Sequence, residues 1–194
     1  MNDVFDHNLP KAARTLADYH VKRMVLSPEH WRACSLPTRL AWQIVPFTKA
    51  SADRVPDDSK GVYTFLVQPG IADHPACSYL LYVGQTERQG FRARYQQYLR
   101  ELRAGEESRR PHITEMLEKW DGHLWFCFAP VSRDDHITEI EDALLAGYLP
   151  PANKDFPAKV SRALLFFLRS RKPGTGVSPA LTGAFFFPAR YSHS

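Results

Sequence analysis

From Gly61 to Tyr148 the apolar residues switch repeatedly between two periodicities, and each switch falls at a cluster of Gly, Pro, Asp or Ser. Alternation in steps of two marks a half-buried strand, and recurrence every three to four residues marks a helix stripe. Gly61 to Val67 is rich in β-branched and aromatic residues, with Tyr63, Phe65 and Val67 on one face. The polar stretch Gln68 to Ser78 turns the chain into a second strand, Tyr79 to Val83, where alternation puts Tyr82 on the face of Leu80; a hairpin is expected. Phe91, Tyr95, Tyr98, Leu99 and Leu102 then predict an amphipathic helix over Phe91 to Leu102. Pro111 opens a helix covering Ile113 to Trp120, and Asp121-Gly122 turns the chain into a third strand, His123 to Val131. Asp134 and Asp135 offer capping oxygens to a helix carrying Ile137, Ile140, Leu144, Leu145 and Tyr148, stopped near Gly147 and Pro150. The order implies an α/β (α+β) fold.

With 194 residues and 44% hydrophobic content, the chain has material for one main core. Residues 1–57 read as an N-terminal extension, with a helix from about Pro10 to Met24, a Trp-containing stretch and a polar linker, Ser51 to Lys60. Residues 58–156 hold the alternating elements. Residues 157–194 read as a basic C-terminal helix, about Ala158 to Arg171, and a tail around Phe185 to Phe187, packed on the core. The longest unbroken apolar run, Ala163 to Leu168, is too short for a bilayer, and Asn2, Asp3 and Asp6 stand where a leader would carry basic residues; a cytoplasmic protein without membrane contact is expected. Cys34, Cys77 and Cys127 suit neither a disulfide framework nor paired zinc ligands. His74, His112, His123 and His136 form no ligand-spaced pair either, so a zinc site is not expected; His112, beside Arg109-Arg110, could touch a phosphate.

Charge is segregated. Residues 88 to 110 hold seven Arg against three Glu, residues 157 to 194 hold six basic residues and no acids, and residues 111 to 156 hold three basic residues against nine acidic. Such blocks suit a phosphate-binding surface, with Arg88, Arg92, Arg109 and Arg110 as candidates, beside a cation-binding pocket; an ordinary solvated surface is the competing reading. Glu141 falls on the stripe of Ile137, Leu144 and Leu145, whereas Glu139 points away. A carboxylate on a packing face needs a partner, either an ion pair or a hard cation. Arg94 likewise faces inward with Phe91 and Tyr98, suiting either a phosphate or a core carboxylate such as Glu141.

Gly61-Val62-Tyr63, Tyr82-Val83-Gly84-Gln85-Thr86, Phe91-Arg92-Ala93-Arg94 with Tyr98, then Glu141, Leu144-Leu145, Pro150 and Asn153 form an ordered set that resembles the GIY-YIG nuclease superfamily over about half of the chain. The resemblance implies a small three-stranded antiparallel sheet flanked by helices. It also implies a catalytic set of Tyr63, Tyr82, Arg94, Tyr98, Glu141 and Asn153, with Glu141 holding one Mg²⁺ (or Mn²⁺). Tyr63, its pKa lowered by cation and guanidinium, would take the proton from water. The implied activity is hydrolysis of DNA, double-stranded, in an enzyme of restriction or defence type working as a homodimer. A catalytically silent nucleic-acid-binding module and a protein-interaction domain are the alternatives. Three features depart from the family pattern: the long Gln68 to Ser78 loop, Gln85 where some relatives carry Lys, and about two extra residues before Arg94. Counting strictly from Tyr82 would select Arg92; helix periodicity selects Arg94.

Overall fold

The computed structural model describes residues 24–70, 77–158 and 160. Four antiparallel strands, β1 (Gln43–Pro46), β2 (Gly61–Val67), β3 (Tyr79–Thr86) and β4 (Leu124–Pro130), form one sheet in the order β1-β4-β2-β3. Helices α2 (Phe91–Ala104), α3 (Pro111–Lys119) and α4 (Asp135–Tyr148) cover it, and the short α1 (Pro28–Ala33) lies against α4. Strand alternation gives each face its own core. Tyr63, Phe65, Leu81, Phe126 and Phe128 meet Phe91, Tyr95 and Tyr98 of α2 and Met116 and Leu117 of α3. On the opposite face Val62, Val83 and Ala129 meet Ile137, Ile140, Leu144 and Leu145 of α4. The expected final helix and tail, the Pro10 to Met24 helix and much of the Gln68 to Ser78 loop lie outside the described residues. Among the described residues no helix is long and apolar enough to cross a membrane.

The sheet has four strands where three were expected. The additional one, β1, comes from the stretch read as a motif-free extension, and its Val45, with Phe47 just beyond, enters the core beside α2. The Ser51 to Lys60 stretch is likewise no free linker. It begins in a 3₁₀ turn, Lys49–Arg54, followed by Val55, fully buried, and it finishes the N-terminus of α2. The first amide groups of an α-helix lack intrahelical acceptors. Here Phe91 N–H donates to the Ser59 carbonyl at 3.0 Å and Arg92 N–H to the Pro56 carbonyl at 2.9 Å. Gly90 allows this close approach, since a Cβ there would stand 1.6 Å from the Asp57 carbonyl oxygen. Gly90→Ala is therefore expected to destabilise the protein by about 3 kcal/mol or more, by forcing the segment off the helix. Urea unfolding of the two proteins measures it, and an unchanged midpoint would contradict the packing.

Two local expectations are also corrected. The β2–β3 register shifts between Phe65 and Leu66, so that Phe65 pairs with Tyr82 but Leu66 with Leu80. Leu81 is the extra residue of this bulge, and Leu80 and Tyr82 consequently serve opposite faces. Asp134 and Asp135 make no side-chain cap on α4; their carboxylates pair with Lys60 and Arg133 instead. At the other end α4 stops at Tyr148, because Leu149 takes a left-handed conformation with φ 50° and is held there by burial of its side chain. The chain then runs along the free edge of β3, where Ala152 N–H donates to the Leu81 carbonyl at 2.9 Å.

Candidate active site

Three tyrosines meet beneath the β3 edge. Tyr63 lies opposite Gly84, and the missing side chain admits its ring: a Cβ at 84 would stand 2.5 Å from the Tyr63 hydroxyl oxygen and 2.9 Å from Cε1 of Tyr82. The Tyr63 ring stacks on Phe126 with centroids 5.2 Å apart, and its hydroxyl shares a 2.8 Å hydrogen bond with that of Tyr98 from α2. The Tyr82 ring flanks both, 6.3 Å from each. Beyond Tyr98, the Arg110 guanidinium lies 5.0 Å from the ring centroid and is paired with Glu101.

Burial pushes all three phenols above their ordinary pKa. For Tyr63 the neighbouring Tyr82 adds to that push, and Arg94 opposes it more weakly. The lowering expected of Tyr63 called for a cation as well as a guanidinium; with the guanidinium alone, at 2% exposure, the loss of hydration outweighs it.

Helix phase separates the two candidate arginines. Arg92 turns away from the tyrosines: its Nε donates to the Val55 carbonyl at 2.9 Å and a terminal nitrogen to the Asp53 carbonyl at 3.3 Å. Arg94 lies on the side where its charge acts on both Tyr63 and Glu141. One of its terminal nitrogens donates to Gln97 Oε1 at 2.9 Å, and its Nε is buried without a partner. Of the four surface arginines read from the sequence, Arg92 and Arg110 are held by groups of the fold, while Arg88 and Arg109 are exposed.

Glu141 approaches from the opposite helix layer. Among the described residues it forms no ion pair with Arg94 or any other cation. Its hydrogen-bonding partner is the Gln85 side chain, which follows Val83 on the α4 face of β3. Burial, reinforced by Asp142, pushes the Glu141 carboxyl up to about 7. The Gln85 Oε1 that faces away from that bond is itself buried without a partner. Strand alternation from Val83 would have placed Gln85 beside α4; nothing local marked it as a partner of Glu141.

Asn153 clamps the β3 edge. Its Oδ1 accepts from Val83 N–H at 3.0 Å and its Nδ2 donates to the Val83 carbonyl at 2.8 Å, as a neighbouring strand would do. A cavity of about 370 Å³ wraps this edge and is lined by Tyr82, His112, Glu141, Asp142, Asn153 and Lys154 among others. Tyr63 and Tyr98 lie behind Tyr82 and do not line it. Among the described residues no group of three or more His, Cys, Asp or Glu is placed to hold a metal ion. Glu141 is instead a half-buried carboxylate with Asp142 beside it in the cavity, an arrangement that suits an ion that keeps most of its water, as Mg²⁺ does. Comparison with protein-family models, with characterised proteins and with solved structures gave no match to this chain.

Proposed function

We propose that this protein is a metal-dependent endonuclease of GIY-YIG type that hydrolyses phosphodiester bonds in double-stranded DNA. The observation that carries the reading is Glu141, a half-buried carboxylate without an ion pair among the described residues, which lines a cavity and whose titration feels Arg94. Leaving a carboxylate in that position costs stability, and a bound cation would offset the cost.

Glu141 would hold the ion, Mg²⁺ or Mn²⁺, with its carboxylate oriented by Gln85. When bound, the ion supplies Lewis-acid stabilisation of the charge that builds on the phosphate and the departing 3′ oxygen. Arg94 would contribute the charge of its guanidinium, which already acts on Glu141, to stabilising the phosphate, and Gln97 fixes the guanidinium plane. Tyr82, on the cavity wall, would orient the attacking water, while Tyr63, kept as a neutral phenol by burial and hydrogen-bonded to Tyr98, acts from behind by holding the Tyr82 ring in place. The Arg110–Glu101 pair supports Tyr98 from behind. Asn153 acts on the backbone, keeping β3 and therefore Tyr82 in register. Cutting both strands needs two such sites, which is the reason for expecting a homodimer, and a compact enzyme of restriction or defence type fits this reading.

Purified protein incubated with supercoiled plasmid should convert it to nicked or linear forms in Mg²⁺ and leave it intact in EDTA. Tyr63→Phe removes only a hydroxyl and should slow cutting by about a hundredfold or more. Salt-sensitive binding without cutting would favour a silent nucleic-acid-binding module, and neither activity would favour an interaction domain.

A further inference from the structure

His112 lies in the first turn of α3 on the wall of the cavity that also contains Glu141, and its Nδ1 is buried without a hydrogen-bond partner. A buried ring nitrogen is ordinarily satisfied, so an orphan on a cavity wall points to a ligand atom. Four other charged groups act on the ring. Lys154 and Arg110 are cationic, and Asp155 and Glu101 are anionic; Glu141 and Asp142 of α4 and Tyr82 of β3 line other walls of the same cavity. Lys154 directly follows Asn153, so the clamp on Val83 also fixes where this lysine begins.

The cavity therefore carries unlike chemistry on its walls: a carboxylate pair on α4, and the His112 imidazole from α3 with Lys154 and Asp155 from the segment after Asn153. The α4 side suits a cation, whereas the hydrogen-bond donors for an anion, His112 and the Lys154 ammonium, stand on the other side with Asp155 beside them. At about 370 Å³ the cavity is large enough for a group bound at each.

We propose that His112 and Lys154 form a second phosphate contact, gripping a nucleotide next to the one that is cleaved. The assignment rests on the nuclease reading for its ligand, a nucleic-acid strand laid across the β3 edge. Burial and the two cations hold the free imidazole below its ordinary pKa. A phosphate against the ring reverses that balance, and the ring takes up a proton from solvent as the strand binds. The contact orients substrate and does no chemistry, which makes His112 a positioning residue.

The test follows the His112 ring by proton NMR from pH 5 to 8 in EDTA, with and without a short DNA duplex, the resonance being assigned by its loss in His112→Gln. The expected result is an upward shift of the titration by about one pH unit with duplex bound. Binding by His112→Gln should be about tenfold weaker than by the unaltered protein at pH 6, with the gap closing at pH 8. Lys154→Met should weaken binding at every pH and reduce the salt dependence by about one counterion. A titration that does not move when the duplex binds overturns the assignment, as does a duplex that fails to bind at any pH. Plasmid cutting in Mg²⁺ is scored separately: a shifted titration without cutting keeps the contact and removes the nuclease, and cutting with an unmoved titration does the reverse.

Discussion

Glu141→Gln is expected to lower plasmid cutting in Mg²⁺ by about a thousandfold or more, and at the same time to make the cation-free protein more stable at pH 8. The two effects share one cause. In the folded chain the carboxyl is pushed up to about 7 from an ordinary 4.5, first by burial and then by Asp142. A carboxyl whose pKa is raised by folding favours the protonated native state, so its contribution is fully present below pH 4.5 and is lost as pH rises through 7. Above neutrality the unaltered protein carries a buried charge that glutamine does not. The gain for Glu141→Gln should reach on the order of 2 kcal/mol at pH 8 and vanish near pH 4. Mg²⁺ should raise the melting temperature of the unaltered protein at pH 8 and leave Glu141→Gln unmoved, because a ligand stabilises only the state that binds it. Thermal unfolding at both pH values, in EDTA and in Mg²⁺, measures all of this. A variant less stable than the parent at pH 8 would show that the Glu141 carboxylate has a structural partner after all.

The second large effect is expected of Gly84→Ala. The added methyl would stand 2.5 Å from the Tyr63 hydroxyl oxygen and 2.6 Å from Cζ. Tyr63 has little room to retreat, since its ring is stacked on Phe126 and edged by Tyr98. Overpacking of this kind costs about 1–3 kcal/mol, and relief by rotating Tyr63 would break its bond to Tyr98. Cutting should therefore fall by about a hundredfold or more, although residue 84 carries no functional group. Combining Gly84→Ala with Tyr63→Phe removes the closest of these contacts, so the double variant should lose less stability than the two single changes added together. Urea unfolding of the four proteins gives the coupling, and strict additivity would mean that the Tyr63 ring is not held where the structure has it.

Much of the sheet and its helices was legible because burial repeats along them. Gly61 to Val67 matches β2 residue for residue, the stripe of Phe91, Tyr95 and Tyr98 locates α2, and that of Ile137, Ile140 and Leu144 locates α4. β1 was hidden for the converse reason. It is four residues long, contains Pro46 and buries only Val45 fully, too little for a period to emerge. Among the candidate site residues, Arg94 was separable from Arg92 by helix phase, since a step of two residues turns a side chain to the other side of a helix. Asn153 was placed in the site by resemblance, but its pair of hydrogen bonds to Val83 depends on how the chain leaves Leu149 and so had no local signature.

By itself, then, the sequence determined which segments between Gly61 and Tyr148 are strands or helices and which way Tyr63, Arg94 and Glu141 face, because those properties depend on neighbours a few positions away. Only the tertiary structure decided that Leu80 and Tyr82 part at a bulge, that Glu141 meets Gln85 instead of an arginine, and that burial raises Tyr63. Strand pairing, hydration and Coulomb interaction all depend on distance through space, and the chain order of these residues does not specify it.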